Sequence, residues 1–108
     1  MPFSEKEYGV ADRFRVEFIS RARKDLLKLP EQTRDIILRR TKILEQNPYP
    51  RGKIKKKIKG VKYPLFRLRV NTPSNSFRIF YGMQNQVVLI LRIVSKKEAD
   101  KVLRTFRG

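Results

Sequence analysis

Three arginines in the second half of the chain are spaced so that they could bind one anion. Arg67 and Arg69 lie two residues apart in an alternating stretch, so a β-strand there presents both on one face. Arg78 belongs to the next predicted strand, and a hairpin would bring it beside them. Guanidinium groups donate forked pairs of hydrogen bonds that match phosphate oxygens. The cluster therefore favours a phosphodiester as its ligand.

Cleavage of RNA is a reaction that such a cluster can assist without a nucleophilic side chain. RNA carries its own nucleophile, the 2′-hydroxyl, so the protein has to align it and neutralise charge on the phosphoryl oxygens. Arginine is a poor base because it stays protonated. Lys96 and Lys97, at the start of the last predicted helix, are the candidates for moving protons. The alternative is that both are ordinary surface residues of that helix.

The charge of the chain points to a polyanionic partner. Its 27 Lys and Arg against 10 Asp and Glu give a net charge of +17, and no acid occurs between Glu45 and Glu98. A run of charged residues usually marks a solvent-exposed face. Here the acid-free stretch includes predicted strands, whose alternation would collect the positive charge on one side of a sheet. We therefore expect nucleic acid as the partner. The basic run predicted to contact RNA comprises Arg51, Lys53, Lys55, Lys56, Lys57, Lys59 and Lys62.

Several classes of protein are disfavoured by what the sequence lacks. The chain has no Cys and no His, which argues against thiolate nucleophiles, imidazole catalysis and the common metal sites. We expect no metal and no cofactor. Residues 1–12 lack the pattern of a signal peptide, and the longest apolar run, Val87 to Leu91, is far too short for a bilayer. We expect a cytoplasmic protein that does not bind a membrane.

The spacing of apolar residues predicts the elements that must position these side chains. Ser20 could cap the first helix, Pro30 ends it, and the motif at Asn47 to Pro50 ends the second. The predicted elements are, in order, a strand at 13–19, helices at 21–29 and 31–46, strands at 65–70, 77–81 and 87–94, and a last helix that opens with a capping box at 95–98.

This order, β-α-α-β-β-β-α, predicts one small α+β domain. A chain of 108 residues is long enough for one core and too short for two. We expect a helical hairpin packed on a four-stranded, mainly antiparallel sheet, with a short C-terminal helix. Val87 to Val94 is almost entirely apolar, as expected of a central strand buried on both faces. Residues 1–12 show no period and are predicted to form a flexible arm, which leaves 13–108 as the domain.

Aromatic residues near the arginines could stack on a base. Phe80 shares the face of Arg78 and is the better stacking candidate, and Tyr81 is included in the predicted RNA-binding surface. Phe66 is instead predicted to be core, because it alternates with Leu68 and Val70.

Residues 13–106 resemble the RelE/ParE superfamily of toxins from toxin–antitoxin pairs. The resemblance rests on the order and spacing of several short motifs. These are Leu26, Leu27 and Leu29-Pro30, Ile58-Lys59-Gly60, Phe66-Arg67-Leu68-Arg69, Phe77-Arg78-Ile79-Phe80-Tyr81 and Ser95-Lys96-Lys97-Glu98. It implies that 13–108 is a RelE-like toxin domain. It further implies an endoribonuclease that cuts mRNA in the ribosomal A site and that a cognate antitoxin holds inactive.

The resemblance also implies roles for individual residues. Arg67 and Arg69 match the two basic residues that RelE-type members carry on one strand, and Arg78 matches the arginine of the next strand. Lys97, with Lys96 beside it, is the nearest counterpart of a later arginine. Leu103 stands where many members have an aromatic residue or histidine, and Tyr81 or Tyr63 is a possible substitute for it.

Two other functions compete with an mRNA endonuclease. A ParE-like toxin would share the fold but act on DNA gyrase without cutting RNA, and the absent late aromatic or histidine favours it. A basic RNA-binding protein that never cleaves is the third reading. The three arginines favour the endonuclease.

Overall fold

A computed structural model describes residues 13–107, and the arm predicted at residues 1–12 lies outside the described residues. No helix among these 95 positions is long and apolar enough to cross a bilayer. The elements are β1 (Arg15–Phe18), α1 (Ser20–Leu27), α2 (Glu31–Thr41), a 3₁₀ helix (Lys42–Glu45), β2 (Lys55–Lys57), β3 (Leu65–Asn71), β4 (Ser76–Gln84), β5 (Val87–Ser95) and α3 (Lys96–Arg107).

The strands form a single sheet in the order β1-β5-β4-β3-β2. β1 runs parallel to β5, and the other neighbours are antiparallel, so the predicted α+β class is confirmed. The sheet has five strands where four were predicted, because part of the basic run pairs with β3. The Arg69 N–H donates to the Ile54 carbonyl at 2.8 Å, and the Ile58 N–H donates to the Leu65 carbonyl at 2.7 Å. These are backbone bonds, which lysine-rich composition does not prevent.

The helices begin and end near the predicted positions. α1 begins at Ser20 itself, so Ile19 occupies the N-cap position and the predicted Ser20 cap is wrong. The second predicted helix ends as an α-helix at Thr41 and continues as the 3₁₀ helix. Short 3₁₀ segments are common at the C-terminal ends of α-helices.

One face of the sheet packs against α1 and α2. Alternate residues of β3, β4 and β5 meet Ala22, Ile37 and Leu44 of the helical layer. Phe66 is 5% exposed within this core, which confirms its prediction as a core residue. The buried residues of the sheet in this first core are Phe66, Leu68, Val70, Phe77, Ile79, Tyr81, Val88, Ile90 and Ile93.

The opposite face carries a second, smaller core beneath α3. Leu65, Phe80 and Val94 from the sheet meet Val102 of α3, and Phe106 packs on Phe80 with ring centroids 5.6 Å apart. The side of α3 that carries Ala99, Val102, Leu103 and Phe106 is the side that it buries here. Because β5 contributes to both cores, the prediction of a central strand buried on both faces is confirmed.

An ion pair joins α1 to β5 at a bulge in the sheet. The register of β4 against β5 shifts between Phe80 and Tyr81, next to Arg92. Nε of Arg92 donates to Oδ2 of Asp25 at 2.8 Å, and the Ile93 N–H donates to the same oxygen at 2.9 Å. Asp25 is only 8% exposed. The arginine that interrupts the apolar strand is therefore an anchor for α1.

Candidate nucleic-acid interface

The β3–β4 hairpin brings the three arginines together on one face. Arg69 lies directly opposite Arg78 in the antiparallel register, and Arg67 lies two residues before Arg69 on β3. Each alternates with residues of the first core, so all three point away from α1 and α2. The sequence predicted this juxtaposition, conditional on the hairpin, and the hairpin forms with its turn at residues 72–75.

The three guanidinium groups repel one another in a partly dry environment. Arg78 is buried, at 6% exposure, while Arg67 and Arg69 are half-buried. Burial, followed by the charges of Arg69 and Arg67, lowers the pKa of Arg78. Burial and then the charge of Arg69 lower the pKa of Arg67. Both shifts have the sign expected where cations are crowded without a counter-ion. An anion bound between them would relieve that repulsion.

Donor groups in the cluster are left without partners. Nε of Arg67 and Nε of Arg69 are buried and make no hydrogen bond, and buried donors of this kind are costly. Nη2 of Arg67 donates to the Lys53 carbonyl at 3.0 Å, which fixes the side chain without neutralising it. Within residues 13–107, none of the three forms an ion pair with an acid. The cluster thus has unpaired, positively charged donors of the kind that an oxyanion accepts from.

Lys56 adds a fourth cation to this face. It lies directly opposite Arg67 in the β2–β3 register, and residues opposite one another point to the same side. Its side chain is exposed. The sequence assigned Lys56 only to the basic run, since the strand that aims it at the arginines was not predicted.

Lys96 and Lys97 lie at the edge of the cluster. They form the exposed first turn of α3, directly after the β5 segment in which Val94 pairs with Arg78. The structure thus brings their backbone to the Arg78 end of the sheet. Neither ammonium group makes a hydrogen bond or ion pair within the part of the chain that is described.

Three residues of the predicted RNA-binding surface are buried instead. Lys55 is 7% exposed because its ammonium group donates to the Asn47 carbonyl at 2.6 Å. Burial and the charge of Arg51 lower the pKa of Lys55. Phe80 is 1% exposed because α3 covers it, so it has no free face for a base.

Tyr81 is also absent from this surface. It belongs to the first core, on the other side of the sheet, and is fully buried. Its hydroxyl donates to the Pro48 carbonyl at 2.7 Å, and burial raises its pKa. Tyr81 therefore cannot replace the late aromatic residue, and Leu103, at that position, packs into the second core. Tyr63 is 46% exposed, in the loop before β3.

The rest of the basic run is solvent-exposed around the edge strand β2. Gly52 and Gly60 have φ of 57° and 83°, a backbone conformation that glycine adopts without strain. Nε and Nη2 of Arg107 donate to the Lys59 carbonyl at 3.2 and 3.0 Å, which ties the end of α3 to this segment. The exposed basic residues are Arg51, Lys53, Lys56, Lys57, Lys59 and Lys62.

The chemistry available at the site is electrostatic. The cluster can bind phosphate oxygens and stabilise negative charge that develops on them. No group of three His, Cys, Asp or Glu residues within residues 13–107 is arranged to hold a metal ion.

Replacing Arg69 with glutamine should stabilise the free protein. Like charges directly opposite one another in a sheet are destabilising, so we expect the free energy of unfolding to rise by about 0.5 kcal/mol. Urea unfolding at low ionic strength measures the change, and added salt should shrink it. Arg40→Gln, an exposed position on α2, is the control and should change stability little. A loss of stability in Arg69→Gln would contradict the repulsion described above.

The fold and the site define a class: small α+β proteins with a RelE-like fold and a cationic sheet face. A family model for phage-derived protein Gp49-like sequences matches residues 24–105. The chain therefore belongs to this family of RelE-like toxins, and its predicted place in the RelE/ParE superfamily is confirmed. No sequence among the curated proteins matches the chain.

Solved structures agree with the family. The RelE–RelB complex of Pyrococcus horikoshii is similar with 27% identity and a TM-score of 0.63, over 78% of this chain and 96% of that one. The toxin–antitoxin complex RelBE2 of Mycobacterium tuberculosis has 24% identity and a TM-score of 0.62, over 78% and 99%. A double arginine-to-alanine mutant of the Escherichia coli toxin RelE in the free state has 20% identity and a TM-score of 0.65, over 87% and 94%. The last two support the fold alone.

Proposed function

We propose that this protein is the toxin of a toxin–antitoxin pair and that it cleaves mRNA on the ribosome. The single observation that carries the proposal is the cluster of Arg67, Arg69 and Arg78. The buried Nε–H groups of Arg67 and Arg69 are unpaired, and within residues 13–107 no acid forms an ion pair with the cluster. In this proposal the scissile phosphate lies between the three guanidinium groups. The 2′-hydroxyl of the preceding nucleotide attacks the phosphorus, the 5′-oxygen leaves, and a 2′,3′-cyclic phosphate forms.

The arginines contribute by stabilising charge. As the 2′-oxygen approaches, negative charge grows on the non-bridging oxygens, and fixed donors in a partly dry site stabilise that state more than the ground state. Burial and the neighbouring guanidinium groups lower the pKa values of Arg67 and Arg78, and an anion bound between them would relieve this repulsion. The reaction needs no metal ion, since the substrate supplies its own nucleophile.

Proton transfer is assigned to lysine. Arginine is an ineffective base, and the aromatic or histidine residue of related sites is replaced by Leu103 of α3, which packs into the second core. Lys56, opposite Arg67, and Lys96 or Lys97, at the Arg78 end, flank the cluster on two sides. One can take the 2′-hydroxyl proton while another gives a proton to the leaving oxygen.

The exposed basic residues around β2 are proposed to bind ribosomal RNA. Phosphate contacts of this kind supply affinity without sequence preference and weaken as salt rises. If the decoding centre holds the mRNA in line for attack, a weak proton-transfer site is sufficient.

A cognate antitoxin is proposed to cover the arginine face. The Pyrococcus horikoshii relative was solved as a RelE–RelB complex, which supports such a partner here. Its segment over this face should supply the acids that the face lacks, and binding should weaken with ionic strength.

Primer extension on translated mRNA tests the proposal. We expect new 5′ ends at ribosome-occupied codons after the wild-type chain is expressed, and none after expression of Arg67→Ala at equal protein level. Arg40→Ala, which removes the same charge from exposed α2, should leave the cuts in place.

The competing functions predict other outcomes. Intact message with gyrase-linked DNA breaks would replace the proposal by a ParE-like activity. Intact message, intact DNA and undisturbed growth would leave a basic RNA-binding protein that does not cleave.

A further inference from the structure

We propose that Ser76, with its hydroxyl oriented by Asn71, is the positioning residue that aims Arg78 at the scissile phosphate. The inference rests on the proposed function and adds residues that the sequence did not single out. Ser76 and Asn71 are opposite one another where the β3–β4 hairpin closes, two residues from Arg78 along β4. Neither is charged, and neither touches the substrate in this proposal.

The hydrogen bonds of Arg78 fix one side of its guanidinium group. Nη1 donates to Oγ of Ser76 at 3.0 Å and to the Phe77 carbonyl at 3.1 Å, which uses both of its hydrogens. Within residues 13–107, no hydrogen bond involves Nε or Nη2 of Arg78. The edge formed by these two nitrogens carries the parallel N–H pair that binds an oxyanion. The anchored nitrogen therefore leaves that edge available.

The same edge binds oxygen at two other places in this protein. Arg92 donates from Nε and Nη2 to the carboxylate of Asp25, at 2.8 and 3.4 Å. Arg107 donates from Nε and Nη2 to the Lys59 carbonyl. Arg78 is held through Nη1 instead. Its Nε and Nη2 edge is therefore the same edge that binds oxygen in Arg92 and Arg107, but it has no acceptor among residues 13–107.

Asn71 determines which way the Ser76 hydroxyl points. Oγ of Ser76 donates to Oδ1 of Asn71 at 2.7 Å, and a hydroxyl has only one hydrogen to give. Its lone pairs are therefore left for Nη1 of Arg78. Repulsion from Arg69 and Arg67 would otherwise move the Arg78 side chain away from the cluster. The Asn71–Ser76–Arg78 chain opposes that movement.

Single-turnover cleavage of ribosome-bound mRNA tests the inference. Two quantities are measured for each variant: the maximal cleavage rate and the protein concentration that gives half of that rate. Ser76→Ala should lower the maximal rate about 10-fold, because small errors in positioning are costly, while half-saturation changes less than about two-fold. Ser76→Thr keeps the hydroxyl and should restore the rate. Ser74→Ala, which removes an exposed hydroxyl from the same turn, is the control and should cleave like the wild type.

NMR of the arginine side chains tests the inference without cleavage. Hydrogen bonds to Nη1 slow rotation of the guanidinium group, so Arg78 should give separate Nη signals in the wild type and in Ser76→Thr. In Ser76→Ala these signals should merge through faster rotation. Unchanged Arg78 rotation in Ser76→Ala, or an equal rate loss in Ser76→Ala and Ser76→Thr, would overturn the inference. A wild-type protein that does not cleave would overturn the proposed function alone, and the NMR result would still decide the role of Ser76.

Discussion

Replacing Arg78 with alanine should slow cleavage of ribosome-bound mRNA by about 100- to 1000-fold, the usual loss when one preorganised donor to a developing oxyanion is removed. Arg78 is the most buried member of the cluster and lies directly opposite Arg69. The maximal single-turnover rate is the quantity to measure, because the lost contact strengthens in the transition state and half-saturation should change much less.

Two further variants separate geometry from charge. Arg78→Lys keeps the charge but not the forked donors, so we expect a rate between those of the wild type and Arg78→Ala. Arg40→Ala on α2 removes an arginine from the other side of the sheet and should cleave normally. A rate for Arg78→Ala within about three-fold of the wild type would remove Arg78 from the catalytic site.

Replacing Asp25 with alanine should lower the free energy of unfolding by about 3 kcal/mol, because it leaves the charge of Arg92 buried without a partner. The side chains of Asp25 and Arg92 are only 8% and 19% exposed. The backbone N–H of Ile93 loses its acceptor in the same change. Urea unfolding measures the loss.

A second ion pair in the chain provides the matched control. Nε of Arg15 lies 3.0 Å from Oε2 of Glu17, a distance close to that of the buried pair, but these side chains are 72% and 50% exposed. Glu17→Ala should cost less than about 1 kcal/mol. Equal losses in the two variants would mean that burial of Asp25 contributes little.

The sequence was sufficient to predict the hairpin and the face that its arginines share. Strand alternation fixes which side chains point together, and the polar turn between β3 and β4 sets the register that puts Arg69 opposite Arg78. The α+β class followed from the order of periodic segments, without reference to any single residue.

The elements that were missed depend on contacts that no local pattern reports. β2 consists of three lysines, and its pairing relies on backbone hydrogen bonds to β3. Lys55 is buried because a distant carbonyl of Asn47 accepts from it. Phe80 is buried because α3 folds back over that part of the sheet. The spacing of apolar residues predicts which side of a helix is buried, but it does not predict which part of the sheet that side covers.

The Asp25–Arg92 pair had a signal that could have been used. Arg92 interrupts a strand predicted to be buried on both faces, and such a residue requires a buried acceptor. Asp25 lies in the predicted first helix, three residues after Ala22 and four before Leu29, so it shares their face. An ion pair between Asp25 and Arg92 would have predicted that α1 packs on β5. The structure has both the ion pair and this packing.

The short bridge between Arg51 and Lys55 affects how the sheet can meet other chains. The Arg51 N–H donates to the Lys55 carbonyl at 2.9 Å, and the Lys55 N–H donates back at 3.3 Å, on the side of β2 away from β3. Those are two of the groups that a strand from another molecule would need in order to extend the sheet. With them occupied and lysines on either side, this edge resists the strand-to-strand stacking that leads to aggregation.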